Sequence, residues 1–383
     1  MTTDEFRPVA AAFSRLVGRG AGGGALVVRL RGETVADLVV GHADRARRRP
    51  WTPDTLAISF STTKGVVSTV VHRLVDRGLL GYDDPVARHW PEFAAGGKER
   101  VTVRDLLTHR AGLHSVRAVA ERAEDVLDHL AMEERLAARA VQAPTSRSAY
   151  HAVTYGWLIA GLLRRVTGTG MGDLVRTELM EPLGIAGLHI GAPAEAREQV
   201  AEPVGEALRH LGSTADVLMP VWTRTARAKA AIDALLVPGF HRLFQGSEPP
   251  IWTTEMPAVN GTFSARALAH LYGALADGGA PLVSERTAHE LGRVQVRTAD
   301  AVLGLRMRWR IGYHQAFATG PGGPRAFGHY GYGGSGGWAD PELRLSVGFV
   351  TNRIGSLTTP LGDLRLLRLN RVVRACAART VAA

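Results

Sequence analysis

Strand-like segments lie at both ends of this 383-residue chain, and most of the residues between them show helical periodicity. Near the start, the β-rich runs 25–30 and 34–40 are joined by a short turn that contains glycine, which predicts an antiparallel hairpin. Late in the chain, the strand-like runs 307–313 and 343–350 flank a glycine-rich turn. The simplest architecture that joins these segments is one sheet built from both chain ends, with a helical insertion between them.

The predicted fold class is therefore α+β, with an antiparallel sheet flanked by helices and a mostly helical inserted domain. We expect a discontinuous sheet domain made of residues 1–87 and 301–383. Residues 88–300 would form the helical domain. Inside it, the segment at about 190–250 contains several prolines and no clear period, which predicts a variable, lid-like segment.

The basic composition does not indicate a nucleic-acid partner. The net charge is +10, but Arg365, Arg368, Arg371 and Arg374 alternate with apolar residues, as on the solvent face of an amphipathic helix. No recognition module accompanies these arginines. A small-molecule substrate is the expected partner, and the sequence does not indicate an oligomeric state.

Features that would direct the chain to a membrane or an oxidising compartment are missing from the sequence. No apolar run approaches the roughly 20 residues of a membrane span, and the first residues are acidic where a secretory signal is basic. Cys376 is the single cysteine, which excludes disulfides within the chain and cysteine-based metal sites. We therefore expect a cytoplasmic protein that uses no metal and no cofactor.

Lys64 stands out because lysine is so rare in this chain. Only Lys64, Lys98 and Lys229 are lysines among 46 basic side chains. Arginine cannot lose its proton in a protein, whereas lysine can, so a retained lysine indicates a site that needs a neutral amine. Lys64 follows Ser61 by three residues, in an S-x-x-K box that begins a helical pattern. One helical turn would place the hydroxyl and the amine on the same face.

Two further boxes follow Lys64 along the chain. The first is Tyr150-His151-Ala152, and the second is the segment 327–334, which contains His329 and Gly331 in an H-x-G pattern. Together the three boxes resemble the serine β-lactamase and penicillin-binding-protein-like superfamily. The resemblance is to its esterase-like group, related to family VIII carboxylesterases and class C β-lactamases. It implies a β-lactamase/transpeptidase-like fold.

The resemblance also implies a role for each site residue. Ser61 would be the nucleophile, and Lys64 and Tyr150 would transfer protons. The third box would place His329 and Gly331 against the substrate, and the backbone N–H groups of Ser61 and Tyr332 would form the oxyanion hole. The possible pocket residues are His151, Trp338 and Trp252.

Proton transfer could begin at either partner of Ser61. Burial could make Lys64 a neutral base, whereas a nearby lysine ammonium could hold Tyr150 as a phenolate. The sequence leaves open which of the two takes the first proton.

Two departures from the β-lactamase pattern narrow the predicted chemistry. The second box ends in Ala152, where asparagine is common, and the third box has His329 in place of lysine. Ala152 has no polar group to offer the amide of a β-lactam, and a neutral His329 is a weaker anchor than lysine for its carboxylate. We therefore predict an esterase that acts on a small-molecule carboxylic ester or thioester.

Other functions remain as alternatives. An acyltransferase in secondary metabolism would use the same boxes and pass the acyl group to an alcohol or amine. A β-lactamase, a D-aminopeptidase or a non-catalytic binding protein fits less well, because Ala152 and His329 disfavour the first two and the intact boxes disfavour the third.

A second serine motif requires a different interpretation. Residues 333–337 match the G-x-S-x-G pattern of α/β-hydrolases, with Ser335 at its centre. No histidine follows His329, and the residues after Ser335 are strand-like, so the strand-to-helix elbow of that fold is missing. We predict that Ser335 has a structural role in a glycine-rich turn.

Overall fold

An antiparallel sheet joins the two ends of the chain in the computed structural model. The described residues are 1–18, 20–141, 146–205, 226–246, 248–318, 323–354 and 363–382. Within them, the larger sheet has six strands in the order β2-β1-β9-β8-β7-β6, and a smaller one has three in the order β3-β5-β4. The strands are β1 Gly23–Leu30, β2 Glu33–Gly41, β3 Ala57–Ile58, β4 Leu188–Ile190, β5 Gly261–Phe263, β6 His314–Gln315, β7 Phe327–Tyr330, β8 Gly336–Asp340 and β9 Leu345–Thr351.

Helices cover both faces of the larger sheet and fill the middle of the chain. The α-helices are α1 Arg7–Val17, α2 Thr62–Asp76, α3 Val86–His89, α4 Val103–Leu107, α5 His129–Ala138, α6 Thr154–Thr167, α7 Met171–Val175, α8 Glu181–Leu183, α9 Ala226–Leu235, α10 Ala265–Ala276, α11 Glu285–Leu291 and α12 Leu364–Ala382. A π-helix, Arg176–Met180, links α7 to α8. Short 3-10 helices are Asp4–Phe6, Pro91–Ala94, Val116–Ala118, Ala123–Leu127, Ala194–Gln199, Phe240–Phe244 and Pro250–Trp252.

The predicted α+β fold built from both chain ends is confirmed. Strands β1 and β2 pair with each other, and β1 also pairs with β9 from the other end of the chain. The late strand predicted at 307–313 is wrong, because those residues form no strand and β6 begins only at His314.

The central strands alternate between two cores. In β1, Ala25 and Val27 face the core that contains α2, while Leu26 and Val28 face the core formed with α1 and α12. This period of two is expected for a strand that is buried on both faces. The alternation decides which side chains of β7 and β8 can reach the site described below.

Helix α10 packs closely on the sheet, although its sequence lies inside the predicted helical domain of residues 88–300. Ser346 Oγ donates to the carbonyl of Ala269 at 2.8 Å. A Cβ at Gly348 would lie 2.1 Å from the carbonyl oxygen of Ala265, so only glycine permits this approach. The domain boundaries remain a prediction, and the sheet is covered on this face by a helix from the middle of the chain.

The predicted lid-like segment at about 190–250 is described only in part, since residues 206–225 and 247 lie outside the described ranges. Its described part holds the 3-10 helices Ala194–Gln199 and Phe240–Phe244 and helix α9.

None of the described helices combines the length and the hydropathy that a membrane span requires.

Candidate active site

Ser61 lies at the start of α2, directly after a sharp reversal of the backbone. The preceding residue, Phe60, has a φ of +46°, which is rare and costly for a bulky side chain. Before it, the N–H of Ser59 donates to the carbonyl of Gly261 at 2.8 Å, which ties this segment to β5. Ser61 is only half-buried and caps no helical N–H with its side chain, so its hydroxyl is free for other partners.

Lys64 lies one turn further along α2 and is completely buried. Its Nζ lies 3.0 Å from Ser61 Oγ, 2.7 Å from the carbonyl oxygen of Ala152 and 2.9 Å from that of Ala258. The hydroxyl and the amine therefore share one face of the helix, as the S-x-x-K spacing predicts. Burial holds the pKa of Lys64 well below its usual value of 10.5, since a buried ammonium loses its hydration.

The contacts of Lys64 fit a neutral amine. A carbonyl oxygen only accepts hydrogen bonds, so two N–H groups of Lys64 are directed to Ala152 and Ala258. A neutral amine then has one lone pair left, and the remaining neighbour is the hydroxyl of Ser61. This arrangement allows the Ser61 hydroxyl to donate to Nζ.

Tyr150 approaches Ser61 from the second box. Its phenolic hydroxyl lies 2.8 Å from Ser61 Oγ. The ring stacks on Trp309 with centroids 5.5 Å apart and meets the edge of His109 at 4.9 Å. Burial raises the pKa of Tyr150 above its usual value of 10.0, so the phenol keeps its proton.

A tight turn of the third box lies against the nucleophile segment. The N–H of Gly331 donates to the carbonyl of Ser335 at 2.7 Å, and Thr62 Oγ1 donates to the same carbonyl at 3.0 Å. A Cβ at Gly331 would lie 2.1 Å from the carbonyl oxygen of Ser59, so glycine is required here. Ser335 is buried, and its Oγ accepts from the N–H of Thr351, which agrees with the predicted structural role.

This turn leaves two donors available near Ser61. Among the described residues, neither the backbone N–H of Ser61 nor that of Tyr332 has a hydrogen-bond acceptor. The contacts between the turn and residues 59–62 bring the two donors to adjoining segments. Such unpaired backbone donors are what an oxyanion hole requires.

His329 lies beside Tyr150, but its ring is shielded from solvent. The two rings are nearly parallel, with centroids 6.4 Å apart, and His329 is 2% exposed. Its Nδ1 bonds to the carbonyl of Tyr330 at 3.2 Å, whereas Nε2 is buried without a partner. Burial, with the nearby His314, holds the pKa of His329 well below its usual range, so the ring is neutral. A direct contact between His329 and substrate stays a prediction.

Two of the possible pocket residues, His151 and Trp338, are buried. His151 is buried, where its Nε2 accepts from the N–H of Leu113 at 3.1 Å and its Nδ1 bonds to the carbonyl of Ala149 at 2.7 Å. Trp338 lies in the core between the sheet and α12, because the alternation along β8 directs it away from His329. Its indole donates to Asn370 at 2.8 Å. A contact of His151 or Trp338 with substrate stays a prediction.

Trp252, the third predicted pocket residue, lines two cavities with volumes of about 490 and 420 Å³. Neither of them is lined by Ser61, Lys64 or Tyr150. The larger cavity is bounded by Phe244, whose ring stacks on that of Phe60 with centroids 5.6 Å apart. Trp252 is thus a pocket residue, and its contact with an acyl group stays a prediction.

The sequence did not single out several groups that shape the site. The carbonyl of Ala258 follows a proline in a loop with no recognisable motif, so only the fold reveals its contact with Lys64. Asp300 accepts from the backbone N–H of Tyr150 at 3.0 Å and from the indole of Trp309 at 3.2 Å. A lone aspartate 150 residues from its partner gives no spacing signal.

Comparisons with known proteins agree with this architecture. The chain is 41% identical over 382 residues to the Esterase/beta-lactamase LipL of Mycobacterium tuberculosis (strain ATCC 25618 / H37Rv), covering 98% of this chain and 87% of that protein. A solved family VIII carboxylesterase shares 34% identity at a TM-score of 0.84, with 98% of each chain covered. A penicillin-binding-protein homologue from Caulobacter crescentus gives the same values. The family model described as Beta-lactamase matches residues 9–370, so this chain belongs to the beta-lactamase family.

Proposed function

We propose that this protein is a serine hydrolase of the carboxylesterase type, which forms an acyl-enzyme on Ser61 and acts on neutral small-molecule esters or thioesters. One observation carries the proposal. Ser61 Oγ lies within hydrogen-bond distance of both the Lys64 amine, at 3.0 Å, and the Tyr150 hydroxyl, at 2.8 Å. The relatives named esterase and carboxylesterase support the same reaction class.

In the proposed acylation step, Lys64 takes the first proton. Its lowered pKa and its two carbonyl partners favour a neutral amine directed at Ser61. As Oγ forms a bond to the ester carbonyl carbon, its proton moves to Nζ. The carbonyl oxygen becomes an oxyanion and accepts from the N–H groups of Ser61 and Tyr332.

Tyr150 then serves as the acid. Its raised pKa keeps the phenol protonated, so it donates to the leaving alkoxide as the carbon–oxygen bond breaks. The Lys64 ammonium returns a proton to Tyr150. Water attacks the acyl-enzyme by the reverse sequence of transfers, and Ser61 regains its proton as the acid leaves.

The charges around Ser61 favour a neutral substrate. Among the described residues near it, Lys64, His109 and His329 all have pKa values lowered by burial, so none offers a stable cation to a carboxylate. Ala152 contributes only its carbonyl, which Lys64 occupies. Substrates that need an ammonium or an amide as anchor are therefore expected to bind poorly.

The substrate class can be tested by comparing kcat/KM for neutral p-nitrophenyl esters and thioesters with that for nitrocefin and a D-alanyl peptide. We expect the esters to exceed nitrocefin by about 100-fold or more, a difference of about 2.7 kcal/mol in transition-state binding. Product analysis in the presence of alcohols separates hydrolysis from acyl transfer, and we expect the free acid. Nitrocefin turnover equal to that of the esters would contradict the proposal.

The expected pH dependence of kcat/KM follows from the lowered pKa of Lys64 and the raised pKa of Tyr150. Below the pKa of Lys64 the amine is protonated and cannot accept from Ser61, so kcat/KM should rise with pH through that value. Because burial lowers this pKa, the rise should be complete well below 10.5. The decline should begin only at alkaline pH, where Tyr150, with its raised pKa, loses its proton. A rate that rises only near 10.5 would show that Lys64 is not the base.

A further inference from the structure

Asp300 is a buried carboxylate that the mechanism above does not use. It is 1% exposed, and no arginine or lysine among the described residues forms an ion pair with it. Its charge is instead stabilised by four N–H donors. Oδ1 accepts from the backbone of Tyr150, Val302 and Leu303, each at 3.0 Å, and Oδ2 accepts from the Trp309 indole at 3.2 Å.

These four donors fall into two groups. The N–H groups of Val302 and Leu303 are two and three residues away, and they account for the local turn that Asp300 begins. The other two donors lead to the same distant residue. One is the backbone of Tyr150 itself, and the other is Trp309, whose ring stacks on Tyr150 with an interplanar angle of 12°.

Asp300 therefore holds Tyr150 at two points. The bond to the backbone N–H sets the position of its Cα, and the bond to the indole sets the plane against which the phenol ring lies. The phenolic hydroxyl lies 2.8 Å from Ser61 Oγ, and it must stay within hydrogen-bond reach of the reacting groups for proton transfer. Displacement of a reacting group by about 1 Å can cost about 100-fold in rate, so two supports on one ring are significant.

Accepting the function proposed above, we propose that Asp300 is a positioning residue for Tyr150, acting through the Tyr150 backbone and through Trp309. Among the described residues, the hydrogen bonds of the Asp300 carboxylate lead to Tyr150, Trp309 and its own turn and not to Ser61. Its negative charge has a second effect, because it disfavours a phenolate nearby and so adds to the rise that burial causes in the pKa of Tyr150.

The test compares Asp300→Asn with Asp340→Asn. Asp340 is also fully buried, at the end of β8, where it accepts from the N–H of Glu342 and pairs with Arg374 of α12. Each change removes the charge of an almost fully buried carboxylate, so both should lower the melting temperature. Only Asp300→Asn should lower kcat for a neutral ester, by about tenfold or more, with KM changed less than about threefold.

The pH profile gives a readout that a purely structural role would not affect. Removing the negative charge of Asp300 should lower the pKa of Tyr150, which moves the alkaline decline of kcat to lower pH. Asp340→Asn should leave this decline unchanged. Equal kcat and equal alkaline limbs in the two variants would overturn the role of Asp300. The function proposed for Ser61 would then still stand if the wild-type protein turns over esters.

Trp309→Leu makes the test independent of whether Asp300→Asn folds. Leucine removes both the stacked ring and the indole donor, while Asp300 keeps its charge and its bond to the Tyr150 backbone. We expect lower kcat at similar KM, without the shift of the alkaline limb. Wild-type kcat in Trp309→Leu would overturn the second point of support.

Discussion

Replacement of Ser61 by alanine is expected to lower kcat/KM for neutral esters by about 10⁴-fold or more, because it removes the nucleophile that forms the acyl-enzyme. The loss should be in chemistry and not in folding. Ser61 makes no side-chain capping bond to α2, and alanine is smaller, so the backbone reversal at Phe60 can be retained. Ester turnover and thermal unfolding measured on the same preparation check both expectations.

Ser335→Ala is the matched control. Ser335 is the centre of the G-x-S-x-G segment, and its Oγ accepts only from the buried N–H of Thr351. Alanine leaves that N–H without a partner, at a cost of about 1–3 kcal/mol in stability. Ester turnover should persist in this variant. Loss of turnover in Ser335→Ala together with full turnover in Ser61→Ala would show that Ser335, and not Ser61, is the nucleophile.

Replacement of Lys64 by arginine is expected to lower the rate of acylation by about 10³-fold or more, since one general base contributes about 10²- to 10⁴-fold. A guanidinium stays protonated at any pH at which the protein is folded, so it cannot accept the proton of Ser61. Burial of that charge could unfold the protein, so Lys64→Met is the companion change. It removes the amine without adding a charge and should show the same loss.

The two other lysines provide controls for this prediction. Lys98 is also completely buried, but its Nζ donates to three backbone carbonyls, including that of Ala137 at the end of α5, and to no hydroxyl. Lys98→Arg should therefore lower the melting temperature without slowing acylation. Lys229 pairs with Asp233 on the surface, and Lys229→Arg should affect neither quantity. An active Lys64→Arg enzyme would refute Lys64 as the base.

The rarity of lysine in the chain is a weaker indication of catalytic function than the position of Lys64 in the S-x-x-K box. Two of the three lysines are buried, yet Lys98 stabilises the end of a helix and contacts no reacting group. Scarcity alone therefore does not identify a catalytic lysine, and Lys229 lies on the surface beside Asp233. Only the S-x-x-K spacing, together with the Tyr150 and His329 boxes, separates Lys64 from Lys98.

Much of the fold was predictable from local patterns. The hairpin of β1 and β2, the strand β9 and the first and last helices follow from β-rich runs and helical periodicity. The strand predicted at 307–313 does not form. Trp309 instead contacts Asp300 and Tyr150, and strand propensity takes no account of such tertiary contacts. Likewise, a sequence does not reveal which face of β8 each side chain takes, so the packing of Trp338 against α12 could not be predicted.

The fold brings together the side chains of Ser61, Lys64 and Tyr150, which the sequence boxes had singled out. The backbone groups of the site had no sequence signal. The carbonyls of Ala152 and Ala258 set the orientation of the Lys64 amine, and any residue can supply a carbonyl. The hydrogen bonds of His151 had no sequence signal for the same reason. Its neighbours Leu113 and Ala149 occupy both ring nitrogens through backbone groups that the motif does not describe.

The proposed mechanism requires that Ser61, activated by Lys64, is the residue that becomes acylated. Its most direct test is a fluorophosphonate probe followed by peptide mapping of the adduct in the wild-type protein and in Lys64→Arg. We expect one adduct per chain on Ser61 in the wild type, and labelling slowed by at least about 10³-fold in Lys64→Arg. An adduct on Ser335, or labelling of Ser61 at the same rate in both proteins, would contradict the account.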